Sequence, residues 1–150
     1  MSIEIELGCR TRGAILLLIK NSLEVQKLQR AIQVRDRVTP EQYLKEYCTV
    51  RISGPRVSGH TRAISDLRYE LEHKNQMGTL ATTPVAACIE RRSEDWPVFT
   101  PIRKLDQVGP VDVIFVDNAF SLSAGTEAHV YAFAKECLQK LGRVVVVLVQ

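Results

Sequence analysis

"RISGPRVSGHTRA", residues 51–63, carries the chain from a strand into a helix through a turn bounded by two glycines. Upstream, Cys48, Val50 and Ile52 alternate with Thr49, Arg51 and Ser53, the period of a strand buried on one side. Downstream, Ile64, Leu67 and Leu71 line one face of a helix that should run from Thr61 to about Lys74. A glycine-rich turn at such a junction lets backbone N–H groups converge on an anion, and the helix N-terminus adds the positive end of its dipole. Where the turn ends in a lysine and a Ser or Thr, the lysine bridges outer phosphates and the hydroxyl reaches a magnesium ion. The turn reads Gly54-Pro55-Arg56-Val57-Ser58-Gly59-His60-Thr61, with a histidine in the lysine's place.

The rest of the chain supplies the context that this junction needs. "SIEIEL", residues 2–7, alternates Ile3, Ile5 and Leu7 with Glu4 and Glu6 and predicts an edge strand. From Ala14 to about Val34, Leu18, Val25, Leu28 and Ile32 recur at helical spacing, with Asn21-Ser22 as a point of breakage. Thr39 is an N-cap with Pro40 at the first helical position and Gln42 where a capping-box partner belongs. Val85 to Ile89 predicts a strand, Thr100-Pro101 the start of a brief helix, and the uninterrupted Val113 to Val116 a strand covered on both faces. The clearest helix places Val130, Phe133, Ala134, Cys137, Leu138 and Leu141 on one face, between a Thr126 N-cap and a Gly142 C-cap. "RVVVVLVQ" then closes the chain as a second fully buried strand.

Strands alternating with helices, two of them continuously apolar, predict an α/β fold: a mainly parallel sheet with helices on both faces. Neither repeats nor linkers divide the 150 residues, so a single domain is expected, with an N-terminal strand and helices over 1–47 and a core over 48–150. The longest leucine-rich run, Ala14 to Ile19, is too short to span a bilayer and lacks the flanks of a secretory signal, which points to a cytoplasmic protein without a membrane partner. Cys9, Cys48, Cys88 and Cys137 form no C-x-x-C pair and are expected as free thiols. His73 and His129 are expected on helix surfaces and Trp96 in a loop. A net charge of +3 permits nucleic-acid contact without arguing for it, and the arginine pairs Arg10/Arg12, Arg35/Arg37 and Arg91/Arg92 read as a solvated face or an acidic-partner surface.

From Thr49 to Gln150 the chain resembles the P-loop NTPases: "GPRVSGHT", residues 54–61, is similar to their Walker A loop and "VIFVDN", residues 113–118, to their Walker B strand. Its element order is similar to that of the additional-strand ATPases. The resemblance implies a minimal four-strand core, with the final strand between the loop-bearing strand and the Walker B strand, and the loop-bearing strand near an edge. It also implies phosphate contacts from Gly54, Pro55, Arg56, Val57, Ser58, Gly59, His60 and Thr61, and a magnesium ion bound with ATP or another nucleoside triphosphate at Thr61 and Asp117. Asn118 and Gln150 fall at the positions of the water-polarising and sensor residues.

The departures lie in the chemistry. His60 is near-neutral at physiological pH and its short flat ring cannot act as a flexible point charge between phosphates. Asn118 stands where a glutamate is usual, and an amide can orient a water but cannot take its proton. The expected function is therefore a degenerate domain that binds a nucleoside triphosphate weakly, hydrolyses it little or not at all, and serves as a binding or regulatory module. Two alternatives stay open: an active ATPase completed by a partner subunit, and a nucleic-acid- or protein-binding adaptor that no longer meets nucleotide. An ordinary α/β domain, in which Gly54 and Gly59 merely shape a turn and Asp117 caps a loop, would carry the same residues.

Overall fold

A computed structural model describes residues 3–53, 60–73, 84–89, 99–117, 119 and 122–149, with backbone alone for residues 4–9 and for His60. Helices α1 (Ile3–Lys27), α2 (Gln29–Arg35) and α3 (Pro40–Tyr43) lead through a π-helical turn, Leu44–Cys48, into strand β1 (Thr49–Ile52). Then come α4 (His60–His73), β2 (Val85–Ile89), the two-residue β3 (Thr100–Pro101), a 3-10 turn (Ile102–Gln107), β4 (Val113–Val116), α5 (Ala124–Leu141) and β5 (Val145–Val149). The strands form one sheet in the order β1-β5-β4-β2-β3, with every pair parallel. The α/β class with helices on both faces is as the alternation of elements predicts. β1 lies at an edge, and β5 lies between β1 and β4.

Parallel strands need crossovers, and here the crossovers bury both faces of the sheet. The division follows the pleat. Ala86, Cys88, Ile114, Val116, Val146 and Leu148 pack under α5, α3 and the 3-10 turn, with Val130, Ala134, Cys137 and Leu138 opposite them. Their neighbours Val85, Ala87, Val113, Phe115, Val145 and Val147 face α1 and α4, meeting Ile15, Ile19, Ile64, Leu67 and Leu71. β4 and β5 are therefore buried at every position. Cys48, Cys88 and Cys137 are free and buried, as expected, and burial pushes the Cys48 and Cys88 thiols up to about 12.

The N-terminal reading needs correction. "SIEIEL" forms no edge strand: from Ile3 onward it is the first part of α1, and the fifth strand of the sheet is instead Thr100–Pro101 beside β2. Extending an existing helix adds one local hydrogen bond per residue, whereas an edge strand must close a long loop first. Glu4 and Glu6 are also good helix formers that suit a helix N-terminus. Nor does the helix break at Asn21-Ser22. Ser22 is buried with its hydroxyl donating to the Tyr47 carbonyl at 2.9 Å, and the break falls at Leu28, whose ψ of 138° is extended. Leu18, Val25, Leu28 and Ile32 are exposed, because the face of α1 turned to the sheet is Ile15, Ile19, Ser22 and Gln26.

The caps follow the sequence with one shift. Thr39 accepts from the Gln42 N–H at 3.2 Å, but the Gln42 amide turns to Glu46 at 3.3 Å, so only half of the capping box forms. At α5 the N-cap is Ser123, accepting from the Thr126 N–H at 3.2 Å, in place of Thr126 itself. Gly142 ends α5 with φ 78°, a left-handed conformation that glycine adopts without Cβ strain. At the N-terminal ends of the central strands, Arg143 grips the buried Asp112 with Nε and Nη2 at 3.3 Å each.

Gln26 fixes the entry to β5 from the other side: its Nε2 donates to the Val144 carbonyl at 2.9 Å, and its Oε1 accepts from the Val144 N–H at 3.5 Å. Gln26→Ala would leave both backbone groups buried without these partners. The expected loss is about 2 kcal/mol of unfolding free energy in urea denaturation, against less than roughly 0.5 kcal/mol for the exposed neighbour in Lys27→Ala.

Candidate functional site

Because the sheet is all-parallel, the C-terminal ends of its strands share one edge, and the chain leaves that edge in two directions. After β1 it passes to α4 on one face; after β4 it passes to α5 on the other. In open α/β sheets, ligands bind in the crevice where successive connections diverge in this way.

Two of the residues singled out in the sequence meet at this place. Thr61, in the first turn of α4, donates its Oγ1 hydroxyl to Oδ2 of Asp117 at 2.7 Å. Asp117 directly follows β4 and is buried, with 7% exposure. Its backbone N–H donates to the Cys88 carbonyl at 3.0 Å, which ties the carboxylate-bearing residue to the end of β2. The Cys88 thiol in turn reaches the Phe115 carbonyl at 3.3 Å. The carboxylate is thus held by the β2–β4 ladder, in which Cys88 lies beside Val116, while the hydroxyl is held by α4, a helix packed against β2 and α1.

Cys88 was legible in sequence only as a buried thiol. Its carbonyl supports Asp117 because of the strand register, which no local pattern reveals. His60 opens α4 through its backbone. Gly54, Pro55, Arg56, Val57, Ser58 and Gly59 lie outside the described residues, as do Asn118 and Gln150. Thr61 and Asp117 are therefore the candidate residues whose side-chain relation is described.

A threonine hydroxyl and a carboxylate are hard oxygen donors. Magnesium is commonly bound by one or two carboxylates together with substrate phosphates and retained waters, so the pair fits that ion in kind. Among the described residues, no group of three or more His, Cys, Asp and Glu side chains gathers as a metal site on its own. Among them, too, no helix is long and apolar enough to cross a membrane.

At the opposite end of β1, Tyr131 of α5 meets Thr49: the two hydroxyls are 2.8 Å apart, and the Thr49 hydroxyl donates a hydrogen bond to the Leu44 carbonyl at 2.9 Å. Burial raises the Tyr131 pKa, against the lowering effects of the Thr49 hydrogen bond and the Arg51 charge. His129 pairs with Asp106 at 3.1 Å on an exposed surface and has no part in the Thr61–Asp117 pair.

Removing the Thr61 hydroxyl tests the pair directly. Thr61→Val keeps the shape but withdraws a donor from a buried carboxylate, for an expected cost of roughly 1–3 kcal/mol in chemical denaturation. Thr61→Ser keeps the donor and should lose less than about 1 kcal/mol. No family model, no curated protein and no solved structure matches the chain.

Proposed function

We propose that this chain is a degenerate P-loop domain that binds a nucleoside triphosphate weakly and hydrolyses it little or not at all, acting as a binding or regulatory module. The observation that carries the reading is the 2.7 Å hydrogen bond between Thr61 and Asp117, which unites the end of the glycine-rich turn with the acid after β4. The strand order supports it, since β5 separates β1 from β4 as the resemblance implies.

In this reading the N–H groups of residues 54–61 hold the phosphates. Thr61 and Asp117 hold the magnesium ion, whose contribution when bound is to neutralise phosphate charge. His60 is the weak point: a near-neutral imidazole leaves the outer phosphates without the full, flexible charge of a lysine. Asn118 orients a water without accepting its proton, so binding outlasts turnover.

The test is a titration of the full chain with a fluorescent ATP analogue and its GTP counterpart, with and without magnesium. Magnesium-dependent binding is expected. His60→Lys should tighten it about tenfold, equivalent to about 1.4 kcal/mol, by adding a charge-assisted contact. Asp117→Ala should abolish the magnesium dependence. Phosphate release should stay low in His60→Lys and rise only when Asn118→Glu is added. No binding by the wild type together with unchanged affinity in His60→Lys would overturn the reading in favour of an adaptor; fast turnover by the wild type would favour an ATPase.

A further inference from the structure

Helix α4 is buried on one face and tied down on one flank. Ile64, Leu67 and Leu71 pack into the core over the sheet, and Glu70 pairs with Arg12 of α1. At about 3.6 residues per turn, the flank turned away from Glu70 carries Ser65, Arg68 and Glu72, with Tyr69 at its outer rim. A cavity of about 340 Å³ lies there, lined by Ser65, Arg68, Tyr69 and Glu72. That volume is at the lower end of the roughly 300–1,000 Å³ typical of ligand pockets, so it suits one flat ring system better than an extended chain. Neither Thr61 nor Asp117 lines it.

The lining supplies an aromatic plane and a polar edge. The Tyr69 ring is 59% exposed, and His73, one turn further on, packs against it with 4.6 Å between centroids and 42° between planes, which restrains the ring without covering it. Arg68 donates from Nε to Oε1 of Glu72 at 3.3 Å and so holds the carboxylate on this flank. Among the described residues that is the one hydrogen bond of Glu72, which leaves Oε2 as an open acceptor. The half-buried Ser65 hydroxyl has no protein partner among them. Polar groups left open in a partly buried cavity favour a ligand that supplies their partners.

From this cavity we infer a binding site for a guanine base on the flank of α4. Any base stacks on an aromatic ring, and the groups on its edges then decide which base is held. Guanine sets two N–H donors side by side, N1–H and the N2 amino group, and an ionised carboxylate is an acceptor only. Adenine and cytosine place a ring acceptor beside their amino group, which sets a lone pair against Glu72. Uracil offers a single N–H. Ser65 stands about two helical turns before Glu72, with Tyr69 between them along the helix, so its hydroxyl can donate to guanine N7 on the opposite edge of the base. The Arg68–Glu72 pair keeps the site near neutral, which suits a neutral base rather than an anion. An indole or phenyl ring of a protein partner would stack as well but brings at most one N–H to the carboxylate. Free guanine nucleosides and guanines in single-stranded RNA share the required chemistry.

The probe is guanosine, which carries no phosphate; in magnesium-free buffer its binding is read separately from the triphosphate site proposed above. Saturation-transfer NMR of the full chain should show saturable guanosine binding with a dissociation constant on the order of 1 mM. Adenosine, cytidine and uridine should bind at least about fivefold more weakly. Tyr69→Ala should weaken guanosine binding about tenfold, and Tyr69→Phe, which keeps the ring, less than about twofold. Because Tyr69 is exposed, the melting temperature of Tyr69→Ala should match the wild type. Glu72→Gln replaces one acceptor with a donor and should bring guanosine down to the level of adenosine. A short single-stranded RNA with one guanine separates the sources: binding at least about tenfold tighter than guanosine assigns the site to RNA, and a smaller gain assigns it to the free nucleoside. No saturable guanosine binding by the wild type, an affinity unchanged in Tyr69→Ala, or four nucleosides that bind alike would each overturn the inference.

Discussion

The placement of β5 is the constraint on which the rest of this structure depends. Its five residues are buried on both faces and it is paired in parallel on both sides, with β1 and with β4. A strand in that position can be reached only by a crossover, so α5 must lie along the sheet, and covering the other face requires α1 and α4. The N-terminal end of β5 is held by Gln26 on Val144, by the Asp112 carbonyl accepting from Val145 at 2.8 Å, and by the adjacent Arg143–Asp112 pair. With that end fixed and the register set, the opposite end of the sheet acquires its geometry without further devices.

That geometry brings Thr61 to Asp117. The two residues are far apart in sequence, one on a helix reached from β1 and the other after β4, with β5 between those two strands, yet the hydroxyl–carboxylate distance is 2.7 Å. The bond helps to satisfy a carboxylate that is costly to bury. It also sets two hard oxygen donors beside the N-terminus of α4, the arrangement that the proposed function takes as its magnesium site. The same pair thus serves the stability of the domain and the phosphate-binding role proposed for it.

The N-terminal helix has a different relation to the fold. It ties the domain together through an ion pair from Arg12 to Glu70 on α4 and through the Gln26 amide, while turning Leu17, Leu18 and Val25 outward. Those outward residues are as apolar as the inward ones. Beside Ile15 and Ile19, the polar residues Ser22 and Gln26 are buried as well, because each finds backbone partners at the end of β5 or in the turn before β1. Hydrophobicity alone therefore misidentifies which face of α1 meets the sheet.

By itself the sequence determined everything that rests on short-range periodicity. The continuous apolar runs at Val113–Val116 and Val145–Val149, the strand Thr49–Ile52, the helix His60–His73, the Thr39 cap and the Gly142 terminus are all local, and each is where its pattern predicts. So is the α/β class, because alternating elements with buried strands leave few other arrangements. Tertiary structure decided what local pattern cannot carry. Six alternating residues at the N-terminus suit a strand or a helix, and the contiguous helix prevails because its hydrogen bonds are local. Which stripe of α1 is buried depended on the backbone groups awaiting Ser22 and Gln26. The motif resemblance already set Thr61 and Asp117 beside one ion, but the Cys88 carbonyl that holds Asp117 depended on the register of β2 against β4, a contact between residues whose separation along the chain leaves no trace in any window of sequence.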